Sequence, residues 1–204
     1  MARLTFQRYH RMIDARIGRL LVASLHQAIT ELLPTRIEFY EEWLRPSGMR
    51  DGRIGLAPVQ AVLSFLRLEG AVYDPVVERA GRLAAEWWLG GTLAIRRSAA
   101  ASGPLWFRGR VAMGLCRDLV QQTFRNSQVA TTWQRGEGQI TLGGSVFCDI
   151  REPVGHALCG FYVAAMSVML REVGLASMVA VTACRATGGG ECVFTVRPSL
   201  QEAP

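Results

Sequence analysis

From Arg8 to Leu33 an isoleucine or leucine returns at every fourth position, at Ile13, Ile17, Leu21, Leu25, Ile29 and Leu33, with arginines and Asp14 on the other faces. Spacing of that kind keeps one stripe of a helix apolar and predicts a long amphipathic helix, which Pro34 stops. The segment EEWLRPSGMRDGRIG that follows is rich in turn formers and reads as a linker, dividing the chain into an N-terminal helix and linker over 1–53 and a main domain over 54–204. Further helices are expected at about Pro58 to Leu68, Pro75 to Leu89 and Leu105 to Arg125. Asp74 before Pro75 is a helix-start signal, because the carboxylate can cap free amides and proline's missing N–H is not needed there. Gly90 and Gly91 end that helix.

The period then changes. QVATTW, QITLGGSVFCD, SMVAVTACRA and ECVFTV are rich in β-branched and aromatic residues, and RGEG and TGGGE between them read as hairpin turns. One helix, from about Pro153 to Val173, interrupts these strands. The order is helices, then strand, strand, helix, strand, strand. It predicts an α+β fold, an antiparallel sheet of about four strands covered on one face by helices, with an N-terminal helical arm. The stripe on that arm is long for a single small domain to cover, so a homodimer is expected.

Composition narrows the function classes. Half the residues are hydrophobic and a fifth are charged, as in a folded globular chain of one core. All 23 basic residues are arginine and the net charge is +6, which suits an anionic partner. The arginines are scattered from Arg3 to Arg197 without a dense block, so nucleic acid is not the expected partner. No apolar run has the length of a membrane span and no signal-peptide core is visible, which points to the cytoplasm. In a reducing compartment, five cysteines read as thiols or metal ligands in preference to a disulfide framework.

Four of the cysteines, Cys148, Cys159, Cys184 and Cys192, fall in the last 57 residues. Thiolates gathered from a helix and a hairpin can supply the tetrahedron that zinc needs, but there is no C-x-x-C pair, and buried structural thiols explain the same residues. The glycine run Gly188 to Gly190 is followed by a strand where a phosphate loop needs a helix, so it reads as the positive-φ part of a hairpin loop. No Ser-His-Asp grouping and no G-x-G-x-x-G fingerprint stands out, which leans the chain away from enzymes.

The C-terminal run HALCGFYVAAMSVMLREVGLASMVAVTACRATGGGECVFTV resembles the 4-vinyl reductase domain family. Those domains end in a glycine-containing helix, a strand, and a hairpin of the form cysteine, small residue, glycine, cysteine, aromatic. Gly160, Cys184, Gly188 to Gly190, Cys192 and Phe194 match it here, and VVERAGRLAAEWW, Val76 to Trp88, is similar to another helix common in the family. The resemblance implies an α+β fold shared with the small subunits of Golgi tethering complexes and with sensor domains of aromatic-responsive transcription activators. It also implies a buried hydrophobic ligand pocket and dimers. In the sensor branch, zinc is held by three cysteines and a glutamate; the cysteines match Cys159, Cys184 and Cys192, whereas the glutamate position is Val181. A fourth ligand must then come from Cys148, His156, Glu191 or water. His156, one turn before Cys159 on the expected helix, is the preferred one.

The expected function is that of a carrier or sensor for a large hydrophobic ligand, a tetrapyrrole of bacteriochlorophyll synthesis, working beside a tetrapyrrole-pathway enzyme. Trp87, Trp88, Trp106 and Phe161 would face the ligand, with Arg108, Arg110 and Arg125 at the mouth to pair with carboxylates. The alternative is an assembly factor resembling the tethering subunits. A third reading is the reductase itself or its accessory subunit.

Overall fold

The computed structural model describes residues 17–44, 55–91 and 103–198. Its elements run α1 (Arg19–Leu32), a short α2 (Ile37–Glu41), α3 (Leu56–Leu68), α4 (Tyr73–Gly90), α5 (Leu105–Thr123), β1 (Gln128–Gln134), β2 (Glu137–Gly143), α6 (Gly160–Glu172), β3 (Ser177–Ala183) and β4 (Cys192–Pro198). The fold is α+β, with an open antiparallel sheet in the order β1-β2-β4-β3.

The four-residue stripe lies where the sequence places it, on α1, and Leu21, Leu25 and Ile29 on it are fully buried. What they bury against is α4, within this same chain. Among the described residues these three positions of the stripe are therefore covered within the chain, and the dimer expected from the stripe finds no support in them. A turn over Pro34–Arg36 follows α1 because proline cannot continue the ladder. The expected helix before residue 17 and the expected boundary at 53/54 lie outside the described residues. On either side of that boundary, α1, α3 and α4 contribute to one continuous hydrophobic core with the sheet.

Strand alternation sets the layers. Val129, Ile140, Leu142, Phe194 and Val196 point to one face, where α5 and α6 pack; Gln128, Thr132, Gln139 and Thr182 point to solvent. Behind α6 lies α4, and α1 packs on α4 in turn. At the β1–β2 turn Arg135 (φ 53°) and Gly136 (φ 85°) both take the left-handed region that a two-residue hairpin requires.

Two element starts differ from expectation. α4 begins at Tyr73, after a turn over Gly70–Val72, and Asp74 sits in its first turn without capping it. More consequential is α6, which begins at Gly160 instead of near Pro153. The Val154 amide donates to the Ala186 carbonyl at 2.7 Å, so residues 144–159 are held as a loop against the β3–β4 turn. This loop and that turn are the frame of the site.

Candidate metal centre

Each thiol is delivered by a different piece of that frame. Cys192 is the first residue of β4 and pairs with Leu142 of β2. Cys184 follows the end of β3, beyond an irregularity between Val181 and Ala183. The chain then turns through Arg185–Thr187 into Gly188 (φ 93°), the one residue of the glycine run with positive φ, while Gly189 donates its amide to the Cys184 carbonyl at 3.0 Å. A Cβ on Gly189 would lie 2.9 Å from that carbonyl oxygen, so the turn that closes over Cys184 needs glycine there as well. Cys159 is the residue immediately before α6, and Cys148 lies in the 144–159 loop, its amide donating to the Ser145 carbonyl at 3.2 Å.

The four sulfurs converge to within 4.8 Å of one another. Sγ of Cys148 is 3.1 Å from that of Cys159 and 3.5 Å from that of Cys184, and Cys159 and Cys184 are 3.4 Å apart. All four are buried and free of disulfides. Zinc–thiolate bonds of about 2.3 Å make a tetrahedron with sulfur–sulfur edges of about 3.8 Å, which lies between the 3.1 Å separation of Cys148 and Cys159 and the 4.8 Å within which all four sulfurs fall, so shifts of up to about 1 Å would enclose one ion. Four protein ligands leave no open coordination position, which is the arrangement of a structural centre. The donor set thus fits the metal, and it fits without the residue expected to complete it.

That residue, His156, is exposed in the loop before α6 and stands outside the thiol group. Its place one helical turn before Cys159 holds only on the expected helix, and the helix begins after it, at Gly160. Cys148 occupies the fourth corner. Val181 pairs with Phe194 in the sheet, and Glu191 is exposed and also outside the group. In the sequence Cys148 is only one alternative among several, because the fold of a 16-residue loop brings it in and no spacing rule reports that.

Crowding four thiols in a dry site splits their acidities. Hydrogen bonds from Cys148 and then Cys159, with the Arg185 amide 3.5 Å from its sulfur, hold the Cys192 thiol well below the ordinary range. Cys159 is pushed far up by its contacts with Cys148 and Cys192 and by burial. On Cys148 the hydrogen bond from Cys159 lowers the pKa, but Cys192 and burial outweigh it and the thiol is raised. Burial alone pushes Cys116, on α5 and away from the cluster, up to about 12.

A pH dependence follows. For the raised thiols Cys148, Cys159 and Cys116, the stability they contribute is complete below the unfolded thiol pKa of about 8.5 and is lost as pH rises above it. Cys192 has the opposite sign, adding stability above that value and losing it as pH falls. With three raised against one lowered, metal-free protein is expected to melt at progressively lower temperature from pH 8 to pH 10. Metal-loaded protein, whose thiols are already ionised, should not. Circular-dichroism melts with and without chelator check this; a flat profile for the metal-free form would contradict it.

The expected ligand-contact residues differ in exposure. Trp87 and Trp106 are exposed, Trp88 is half-buried, and Arg110 lies exposed with its guanidinium 5.6 Å from the Trp106 ring centre. Arg108 is half-buried, its Nε donating to the Val173 carbonyl at 3.1 Å. Arg125 is exposed beyond the end of α5. Phe161 is fully buried and stacked on Phe147 at 4.8 Å, so it belongs to the core. Two surface clefts are formed by described residues. One of about 620 Å³ is lined by Gln60, Ser64 and Arg67 of α3 and by the 146–154 stretch; one of about 330 Å³ runs between α4 and α6. Neither includes any of these seven residues. No helix among the described residues is long and apolar enough to cross a membrane.

No known protein-family profile matches the chain, and no curated protein matches it in sequence. Solved structures do match in shape. An H-NOX protein from S. oneidensis in the Fe(II)NO ligation state superposes with a TM-score of 0.57 at 10% identity, covering 90% of this chain and 99% of that one. The A71G mutant of an H-NOX protein from K. algicida, Fe(II) and unliganded, gives 0.61 at 7% identity, covering 91% and 98%. Subunit 3 of a trafficking protein particle complex from Naegleria fowleri, covalently bound to palmitic acid, gives 0.50 at 15% identity, covering 71% and 93%. At these identities the likeness establishes the fold alone.

Proposed function

We propose that this chain is a small-molecule-binding domain, a sensor or carrier, whose C-terminal half is held in shape by zinc on Cys148, Cys159, Cys184 and Cys192. The observation that carries the reading is the convergence of four buried thiols from a loop, a helix start and both strands of a hairpin. Zinc supplies no chemistry to a substrate in such a site; it fixes the ends of the 144–159 loop to the β3–β4 turn. Support for a ligand comes from the fold, since structural neighbours include an H-NOX protein in an Fe(II)NO state and a trafficking protein particle complex subunit covalently bound to palmitic acid.

For the ligand itself we propose a large hydrophobic molecule, a tetrapyrrole with carboxylates. The support is the resemblance of the Ala183–Phe194 hairpin and its preceding helix to the 4-vinyl reductase domains. The binding role would then be one of delivery or sensing for a pathway enzyme. Elemental analysis of protein purified without chelator should find about one zinc per chain. Titration with a magnesium or free-base porphyrin, followed by fluorescence quenching, should saturate. Trp106→Ala should weaken binding at any ionic strength, because ring burial supplies the affinity. Arg110→Ala should weaken it chiefly at low salt, because exposed charge pairs are screened within about 10 Å at 0.1 M. The absence of saturable binding would favour the assembly-factor reading, for which the trafficking-complex subunit is the supporting likeness.

A further inference from the structure

The cleft of about 620 Å³ lies between α3 and the 146–154 stretch, and none of the four thiols lines it. Its volume is that of a small-molecule site, about 300–1,000 Å³. Gln60, Ser64 and Arg67, four and three residues apart, stand on one face of α3 and form one wall. Asp149, Arg151 and Glu152 stand on the other. The Gln60 amide donates to the Asp149 carboxylate at 2.7 Å and joins the walls, while the Val154 amide, bonded to the Ala186 carbonyl at 2.7 Å, fastens the second wall to the β3–β4 turn. Together these bonds set the shape of the cleft before a ligand arrives, which lowers the ordering cost of binding.

Of the charged residues lining it, Arg67 alone is half-buried; Asp149, Arg151 and Glu152 are exposed. Nη2 of Arg67 donates to Ser64 Oγ at 2.9 Å, and its guanidinium carbon stands 6.0 Å from the centre of the Tyr73 ring. Tyr73 is buried and held in turn, its hydroxyl donating to the Leu158 carbonyl at 3.3 Å. The guanidinium is thus fixed on two sides, yet among the described residues no carboxylate pairs with it, and none pairs with Arg151. Ser64 accepts from Arg67, which leaves its own O–H to donate. A guanidinium offers parallel N–H groups that match two oxygens of a carboxylate or phosphate. Asp149 and Glu152 oppose an anion, but exposed charges are screened over about 10 Å at 0.1 M salt and a half-buried one less, so the fixed guanidinium sets the sign at the α3 wall. Ligand hydroxyls are the better match for the two carboxylates, which can only accept.

We infer that this cleft binds a small hydroxylated molecule carrying an oxyanion, which Arg67 and Ser64 hold at the α3 wall with Arg151 as a second cation, while its hydroxyls face Asp149 and Glu152. The site stands apart from the tetrapyrrole reading, since none of the residues expected to contact that ligand lines this cleft, and it needs no zinc.

Calorimetric titration of the full chain with glucose 6-phosphate, glucuronate and glucose tests it. The first two carry the oxyanion as phosphate or as carboxylate, and glucose carries hydroxyls alone. At least one charged probe should saturate, and which one does so identifies the oxyanion; glucose should bind far more weakly. Arg67→Gln should weaken the charged probe about 10- to 100-fold, because a charge-assisted bidentate contact is lost. Arg67→Lys, which keeps the charge without the fork, should fall between the two. Arg117→Gln removes the same charge from α5, outside the cleft, and should bind like the wild type. Arg151→Gln changes an exposed side chain that the fold does not depend on, and should weaken binding by a smaller factor even if Arg67→Gln fails to fold. Failure of both charged probes to saturate, glucose binding as tightly as they do, or charged-probe affinity unchanged in both Arg67→Gln and Arg151→Gln would overturn the inference. The porphyrin titration reads the other proposed ligand, so a failure of either leaves the other standing.

Discussion

Cys148→Ser is expected to lose zinc and to lower the melting temperature as much as Cys184→Ser or Cys192→Ser, whereas His156→Ala should change neither. The four sulfurs are within 4.8 Å of one another and His156 is exposed outside them, so removing any one thiol opens the tetrahedron and removing the imidazole does not. The effect should be large because metal binding free energy becomes folding free energy, about 10–16 kcal/mol for structural zinc in small peptides. A chain of this size has its own core, so only the share that locks the loop and hairpin is lost. A destabilisation of roughly 4–5 kcal/mol corresponds to about 10–20 °C in melting temperature. Chelation of the wild type should reproduce the shift. Retention of zinc by Cys148→Ser with loss in His156→Ala would replace the proposed ligand set.

Gly81→Ala should be nearly as damaging although it changes no ligand. Gly81 lies in the middle of α4, where a Cβ would stand only 2.1 Å from the carbonyl oxygen of Phe161 at the start of α6. Backbone cannot rotate out of the way as a side chain can, so the two helices must part. Overpacking of this kind costs about 1–3 kcal/mol or more. Because Cys159 lies two residues before Phe161, parting the helices also pulls one sulfur from the cluster. Gly81→Ala should therefore lower both thermal stability and zinc affinity. Gly90→Ala on the same helix, where nothing lies within 4 Å of the added carbon, should be tolerated by both measures. Equal behaviour of the two variants would show that the α4–α6 approach does not govern the site.

Much of the fold is a matter of local pattern. The four-residue spacing of Leu21, Leu25 and Ile29, the alternation in the four strands and the Arg135-Gly136 turn each act over a few residues. Their elements therefore follow in the expected α+β order, although the strand expected over QITLGGSVFCD ends at Gly143 and the one over SMVAVTACRA at Ala183. Ligand chemistry was equally legible: cysteine binds soft cations wherever it is, so Cys159, Cys184 and Cys192 could be named as a nucleus from residue type and resemblance. Cys148 and the disposition of α1 could not. An amphipathic stripe states that something must cover it and not what, and α4 of the same chain covers it here. Likewise, Pro153 and Gly155 do not exclude a helix as firmly as the Val154 to Ala186 hydrogen bond does, and that bond joins residues far apart in sequence. By holding 144–159 as a loop, it leaves His156 in solvent while Cys148 stands at the fourth corner. Which side chain completes a tetrahedron depends on distances between segments, and those arise only when the sheet and helices close on a common core.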